Sequence, residues 1–519
     1  MLNHNQLKSN ESPSTFSHPC SCCALSRRSF LGAAAACTAA LATGCASKGE
    51  TASALSLHTR PKANEEIDLA AFRPRPQVRV MSVIARQKPP YWLGWPGTSY
   101  NVEGERVRYT QAIADAGRRI GVEIVQEREP LEDNAAVAAF VNKIQAEKPE
   151  AVFVTLQHMQ SWTMATEIAK TGVPTIVFAP VGTAFTGHIN GLGFRPGVHV
   201  ISSLEIPALE QALRMVRAKR QLETTRMLVV SGNERKEGKF GLVNLQYVPR
   251  ATFEEMFSAT PVSEEAKWVA HQRFREAAKV REPTPEDGLN AARSYIAAKQ
   301  LLKNESCNAL TTDCLGMVSQ KKVPTPPCMG ASIFQDHGVT YGCEAAVGPA
   351  VSLMLTSYLF DRPGFMNDPV PETVKNVLIA SHCVSGTRIY GLDRQKEHAP
   401  YILRSHSESN LGVSTQVLWP VGQPVTLVQF FKPDALYLDT GTVAGNVNTP
   451  PAGGCRTSVE IRMDEIADSR DVQGFHQVVF LGNHRRDVEA FCQMYGINVV
   501  HSPRTHEETL KPADKPART

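Results

Sequence analysis

Four polar side chains in the C-terminal half of the chain stand where rigid elements should end. Gly342-Cys343-Glu344-Ala345-Ala346 reads as a strand-to-helix transition with a carboxylate at the turn. Gly364-Phe365-Met366-Asn367-Asp368-Pro369 carries an apolar stretch into a second carboxylate. Val377-Leu378-Ile379-Ala380-Ser381-His382 and Val478-Val479-Phe480-Leu481-Gly482-Asn483-His484 each read as a strand that ends in a histidine. Rigid elements hold such groups with the precision a site needs. Two carboxylates and two imidazoles form an O₂N₂ set suited to a divalent cation, with Mn²⁺ favoured over the ions that prefer sulfur. A lone histidine in such a place is more often a cap or a core residue, so the reading rests on the four together.

Their order and spacing matter more than their types. Glu344 and Asp368 are 24 residues apart, Asp368 and His382 14, and His382 and His484 102. Over about 308–500 this arrangement resembles the L-fucose and L-arabinose isomerase superfamily. The resemblance implies that Glu344, Asp368 and His484 bind Mn²⁺ and that His382 binds metal or substrate. It also implies that Glu344 and Asp368 are catalytic, moving a proton between C1 and C2 of an open-chain sugar through an ene-diol. Such chemistry needs abstraction of a proton next to a carbonyl, with the developing charge stabilised electrostatically. A hydride shift between the same carbons is the alternative. The resemblance further implies a homo-oligomer, a trimer or a hexamer. One departure stands out: the family's first motif reads Glu-Gly-Asp, where this chain has Glu344-Ala345-Ala346. A different metal-dependent carbohydrate enzyme (a lyase, an epimerase or a glycoside-cleaving enzyme) and a periplasmic sugar-binding protein on the same scaffold therefore stay open.

Other polar groups are weaker substrate-binding candidates. Asp313 ends a strand and could equally cap a helix. His406 lies in Arg404-Ser405-His406-Ser407-Glu408, which could equally be a surface loop. Arg456 follows Gly453-Gly454-Cys455 and could equally pair internally. Trp95 stands in the aromatic segment 89–105 and could stack on a sugar or cover a sheet edge. Cys343 and Cys383 adjoin two of the site residues. In extended chain neighbouring side chains face opposite ways, so both cysteines are expected behind the site.

The elements that must position these groups follow from hydrophobic periodicity. Apolar runs at 78–85, 122–125, 151–155 and 175–178 alternate with helical spacing at 107–120, 135–147 and 162–171. That alternation predicts a parallel sheet with crossover helices. The segment 89–105 then follows the first strand, where ligands approach an open α/β sheet. No G-x-G-x-x-G follows that strand, so a dinucleotide reading is weak. A second α/β region begins near 203, with a helix at 208–219 and strands at 227–230 and 308–312; the charged run 235–239 reads as a solvated loop. Beyond about 383, short strands at 425–430, 435–438 and 458–461 are separated by Gly, Pro and Asn, before a helix at 486–495 and a strand at 497–500. The expected fold is α/β: two Rossmann-like doubly wound domains, at 76–202 and 203–382, then a β-rich C-terminal domain at 383–503. A linker at 51–75 precedes them and a disordered tail, 504–519, follows.

Ser26-Arg27-Arg28-Ser29-Phe30-Leu31-Gly32, ahead of an Ala-rich stretch, resembles a twin-arginine export signal. It implies a twin-arginine translocase partner, a periplasmic location and a chain folded with its cofactor before crossing. Leu41-Ala42-Thr43-Gly44-Cys45 is an imperfect lipoprotein box. A lipid anchor at Cys45 and cleavage by an ordinary signal peptidase both stand. The 519 residues predict about three domains. With 55 basic and 51 acidic side chains, the formal charge of +4 gives no sign of a nucleic-acid partner; a small-molecule sugar is the partner that the isomerase resemblance implies. Of 12 cysteines, seven lie beyond the leader, without CxxC spacing. Buried thiols and one or two bridges both stay open.

Overall fold

The computed structural model describes residues 66–394, 397–448 and 454–505. All belong to one compact unit, Leu57–Thr519. The export signal, Cys45, most of the linker and the tail from 506 onward lie outside the described residues.

The first sheet is built from β1 (Arg79–Ala85), β2 (Glu123–Gln126), β3 (Ala151–Leu156), β4 (Thr175–Ala179) and β5 (Val198–Ser202), all parallel, in the order 2-1-3-4-5. β3 and β4 are buried at every position and β1 at all but one. Burial on both faces is what helices on either side of a parallel sheet produce, and it explains the unbroken apolar runs in the sequence.

The second sheet contains β6 (Arg226–Val230), β7 (Lys236–Phe240), β8 (Val243–Val248) and, beyond the short β9 (Lys279–Val280), β10 (Ala309–Thr312) and β11 (Tyr341–Gly342). Its order is β11-β10-β6-β8-β7, parallel except for β7. Here the charged run expected to be a loop is instead β7, an antiparallel edge strand whose first four residues are exposed. Its alternation was invisible because neither face is buried. Charged residues are what guard an open edge against pairing with other chains. Gly241 makes the tight return to β8: it has φ +55°, and a side chain there would meet the Pro433 carbonyl oxygen at 2.6 Å.

The third layer is a closed antiparallel barrel. It takes β12 (Phe365–Glu372) and β13 (Val377–His382), skips β14 (Tyr401–Arg404) and β15 (Ser414–Val417), which join β9 in a small sheet, and continues with β16 (Pro424–Lys432), β17 (Ala435–Asn446), β18 (Thr457–Met463) and β19 (Gln477–Leu481). The circuit runs β16-β19-β12-β13-β18-β17 and back to β16, while β20 (Asn498–Val500) adds to β17 in parallel. The β-rich part thus begins at Phe365, ahead of the change in character expected near 383. β12 hides in the sequence because Pro369 and Pro371 interrupt it. Its pairing with β19 ends at Asn367, so the prolines face β13 alone and leave no ladder donor missing on the other side.

The helix Val347–Phe360 lies where the second sheet and the barrel meet. Gly348 through Phe360 are all buried, the pattern of a helix covered on every side. Ser352 Oγ accepts the Phe430 N–H at 2.8 Å, tying the helix to β16. A Cβ at Gly348 would stand 2.1 Å from the Phe430 carbonyl oxygen. Gly348→Ala should therefore force helix and barrel apart and lower stability by about 1–3 kcal/mol, the usual scale of overpacking. A denaturant titration checks this, with an unchanged midpoint as the contrary result.

Candidate metal centre

Three barrel elements and one turn of the second sheet converge. β11 ends at Gly342, and the chain enters its long helix through Cys343–Ala346. Glu344 and Ala345 both sit in left-handed backbone, at φ +55° and +53°. That conformation is costly for residues with a side chain, and it is pinned by the Ala345 N–H donating to the Thr312 carbonyl at 3.0 Å. The turn lies at the carboxyl end of a parallel sheet, where α/β folds collect their ligand-binding groups. Opposite it, β12 supplies Asp368, the first residue past the end of its pairing with β19, and β13 ends in His382.

The fourth group is His476. It stands immediately before β19, at φ +58°. Its Nε2 lies 3.1 Å from Glu344 Oε2 and 3.1 Å from Asp368 Oδ1. His382 Nε2 is 3.7 Å from Glu344 Oε1, and the two imidazole rings are 5.8 Å apart. Ligand atoms of Asp368, His382 and His476 fall within 4.8 Å of one another, as do those of Cys343, Glu344 and His382. Asp368 Oδ1, His382 Nε2 and His476 Nε2 are buried yet complete no well-aligned hydrogen bond among the described residues. Buried polar atoms are normally satisfied, and three such atoms facing one another, two of them paired at 3.1 Å, form an arrangement that a cation fits. Burial opposes the charge on His476, but the Asp368 and Glu344 carboxylates outweigh it and push the imidazole up to about 9. In return, His476 holds the Glu344 carboxyl below its usual range. An incoming cation would replace the proton on His476 as partner to both carboxylates.

Three of the four expected residues lie together, and a histidine that was not expected stands with them. Glu344, Asp368 and His382 come together as expected; His484 does not join them. β19 separates His484 from His476, and its five residues at about 3.3 Å each place the two histidines at opposite ends of the strand. His484 stands at the start of the helix Arg485–Tyr495 and stacks on Phe480, 5.5 Å between ring centres, with Phe360 at 4.4 Å. Gly482-Asn483-His484 and Gly474-Phe475-His476 are equally good Gly-x-His words. Only the pairing of Asn367 with Gln477 shows which end of β19 faces Asp368.

The weaker candidates have other partners. Asp313 caps the helix Cys314–Ser319 by accepting the Gly316 N–H at 3.0 Å, and it pairs with Arg250 at 3.1 Å. Arg456 donates to the Ser405 carbonyl at 2.7 Å and to its hydroxyl at 3.1 Å, an internal pairing. His406 is buried, with Nδ1 3.0 Å from Ser409 Oγ. Trp95 is exposed and lies edge-on to Phe185 in the first α/β layer, 5.9 Å between rings. Cys343 is not turned away from the site: the left-handed step at Glu344 breaks the alternation that extended chain would impose.

No family model matches this sequence, and no curated protein matches it. Among solved structures, a periplasmic solute-binding protein of an ABC transporter from Actinobacillus succinogenes 130z, with bound D-allose, aligns over 50% of this chain and 88% of its own at 10% identity. The TM-score of that alignment is 0.16, too low to carry an argument.

Proposed function

We propose that this chain is a divalent-metal-dependent carbohydrate enzyme, and specifically an aldose–ketose isomerase. The observation that carries the reading is the convergence of Glu344, Asp368, His382 and His476 with three buried, unsatisfied ligand atoms. These residues fit a divalent cation, with Glu344, Asp368 and His476 as ligands and Mn²⁺ matching the carboxylate–imidazole set. Such an ion, when bound, polarises the oxygens of a sugar carbonyl and its neighbouring hydroxyl.

The chain's own groups do the rest. Glu344 and Asp368 keep side-chain exposures of 28% and 32%, so both carboxylates are open to a substrate while the imidazoles behind them are buried. Two carboxylates on one substrate can take the C2 proton and deliver one to C1, one as base and the other as acid, while the O2 hydroxyl proton passes to O1. His382 Nδ1 accepts the Cys383 N–H at 2.9 Å, which leaves Nε2 to carry the neutral ring's proton. We assign His382 to the substrate on that ground, as a donor to a sugar oxygen. Ala345-Ala346 in place of Gly-Asp favours a second reading, a different carbohydrate reaction at the same metal, because the acidic neighbour is missing. The remaining proposals are an exported, periplasmic or lipid-anchored chain, two Rossmann-like domains ahead of the barrel, and a homo-oligomer.

The test is metal content of the mature protein beside Glu344→Gln, followed by a panel of aldoses with Mn²⁺ restored. About one ion per chain, lost in the variant, with ketose formed by wild type, is the expected result. Metal bound without ketose from any aldose would favour the second reading. An absence of metal after loading would overturn both.

A further inference from the structure

The sulfurs of Cys314 and Cys343 lie 3.0 Å apart, both in buried residues. A disulfide would need about 2.05 Å, so these are two thiols one small movement from bonding. They come from separate elements: Cys314 opens the helix after β10, and Cys343 follows β11, the strand beside it. Cys343 also has its sulfur within 4.8 Å of ligand atoms of both Glu344 and His382. One sulfur thus faces two alternatives, a cation held at Glu344 or the sulfur of Cys314.

We propose that Cys314 and Cys343 form a redox pair that governs the metal centre. This deepens the reading above and rests on it. With both thiols reduced, Cys343 adds a sulfur ligand beside Glu344, extending the set toward softer divalent ions such as Co²⁺ and Zn²⁺. With the pair oxidised, that sulfur is withdrawn and the Glu344 turn is tied to the helix Cys314–Ser319. The oxidant is a disulfide of the glutathione class. One cysteine thiolate attacks it, expelling one thiolate and leaving a mixed disulfide; the other cysteine then attacks the protein-side sulfur and expels the second. The two cysteine protons end on the released thiols, and the cysteines lose the two electrons that the oxidant gains.

The experiment uses the full chain with Co²⁺ as probe. Reduced wild type should bind cobalt with a sulfur-to-cobalt charge-transfer band in the near ultraviolet. Cys314→Ser should keep that band. Cys343→Ser should lose it and bind cobalt at least about tenfold more weakly, the lower end of what disturbing a ligand's support alone costs. Glutathione disulfide should remove two hydrogens from wild type, mapped by peptide mass to a 314–343 bond, and abolish the band; neither variant should form that bond. A band that survives in Cys343→Ser, or in oxidised wild type carrying the mapped bond, would overturn the proposal. Cobalt bound tightly by every form without any sulfur band would overturn it while sparing the cation site. Cobalt bound by no reduced form would overturn the cation-site reading as well.

Discussion

His476→Gln should strip the divalent ion from the protein, whereas His484→Gln should leave metal content at the wild-type level. His476 is the only side chain within 3.1 Å of both Glu344 and Asp368 among the contacts of the described residues. Removing even a group that supports a metal ligand costs about 10–100-fold in affinity, and a ligand should cost at least that. Without the imidazole, Glu344 and Asp368 also face each other with no cation between them in the metal-free state, a repulsion that lowers the stability of that state and offsets part of the lost affinity. His484 instead packs on Phe360 and Phe480. Its replacement should lower stability by about 1–2 kcal/mol, an ordinary packing loss, with no change in metal. Elemental analysis and a melting curve on the two variants separate these outcomes. Metal lost from the His484 variant and retained by the His476 variant would reverse the assignment and reinstate the ligand set that the resemblance implies.

A second large effect is expected away from the ligands, at Asp336. Its carboxylate accepts the Thr387 and Arg388 N–H groups at 2.6 and 2.8 Å, the Thr387 hydroxyl at 2.8 Å and Arg273 at 3.1 Å. Asp336 and Arg273 are both buried. Asp336→Ala leaves the arginine charge and two backbone donors buried without their acceptor. Breaking a buried pair from one side costs about 3–5 kcal/mol. Asp336→Asn should recover only part of this, because its amide nitrogen presents a donor where the site supplies only donors. The consequence reaches the metal centre, since Thr387 and Arg388 anchor the chain five and six residues after His382. Denaturant midpoints should fall in both variants, with metal affinity lowered alongside. A midpoint within about 1 kcal/mol of wild type for Asp336→Ala, against the penalty of breaking a buried pair, would show that water replaces the carboxylate at no cost.

Local pattern carried much of the architecture. Four of the five parallel strands of the first sheet coincide within a residue or two with the apolar runs; in β1, β3 and β4 burial on both faces leaves its mark on nearly every residue, whereas the half-exposed β5 was missed. The turn at Glu344 and the strand ending in His382 were legible for the same reason: each is a break at the end of a buried element. What depended on pairing was not. β7 has no buried face, and β12 is broken by prolines that are tolerated only because β19 stops short of them. The choice between His476 and His484 is the sharpest case. Both flank β19 and both follow a Gly-x-His word, so residue type and spacing cannot separate them. An antiparallel strand has two equivalent-looking ends, and only its register against β12 determines which one meets Asp368. The same holds for Cys343, whose side chain turns toward the site through backbone angles at Glu344 that tertiary contacts impose. The sequence alone therefore determined which residue types stand at the element ends, two carboxylates with imidazoles, because residue type and local periodicity are properties of neighbours along the chain. Tertiary structure decided which imidazole stands beside the two carboxylates and which sulfur lies near them, because register and left-handed turns are set by contacts between residues far apart in that chain.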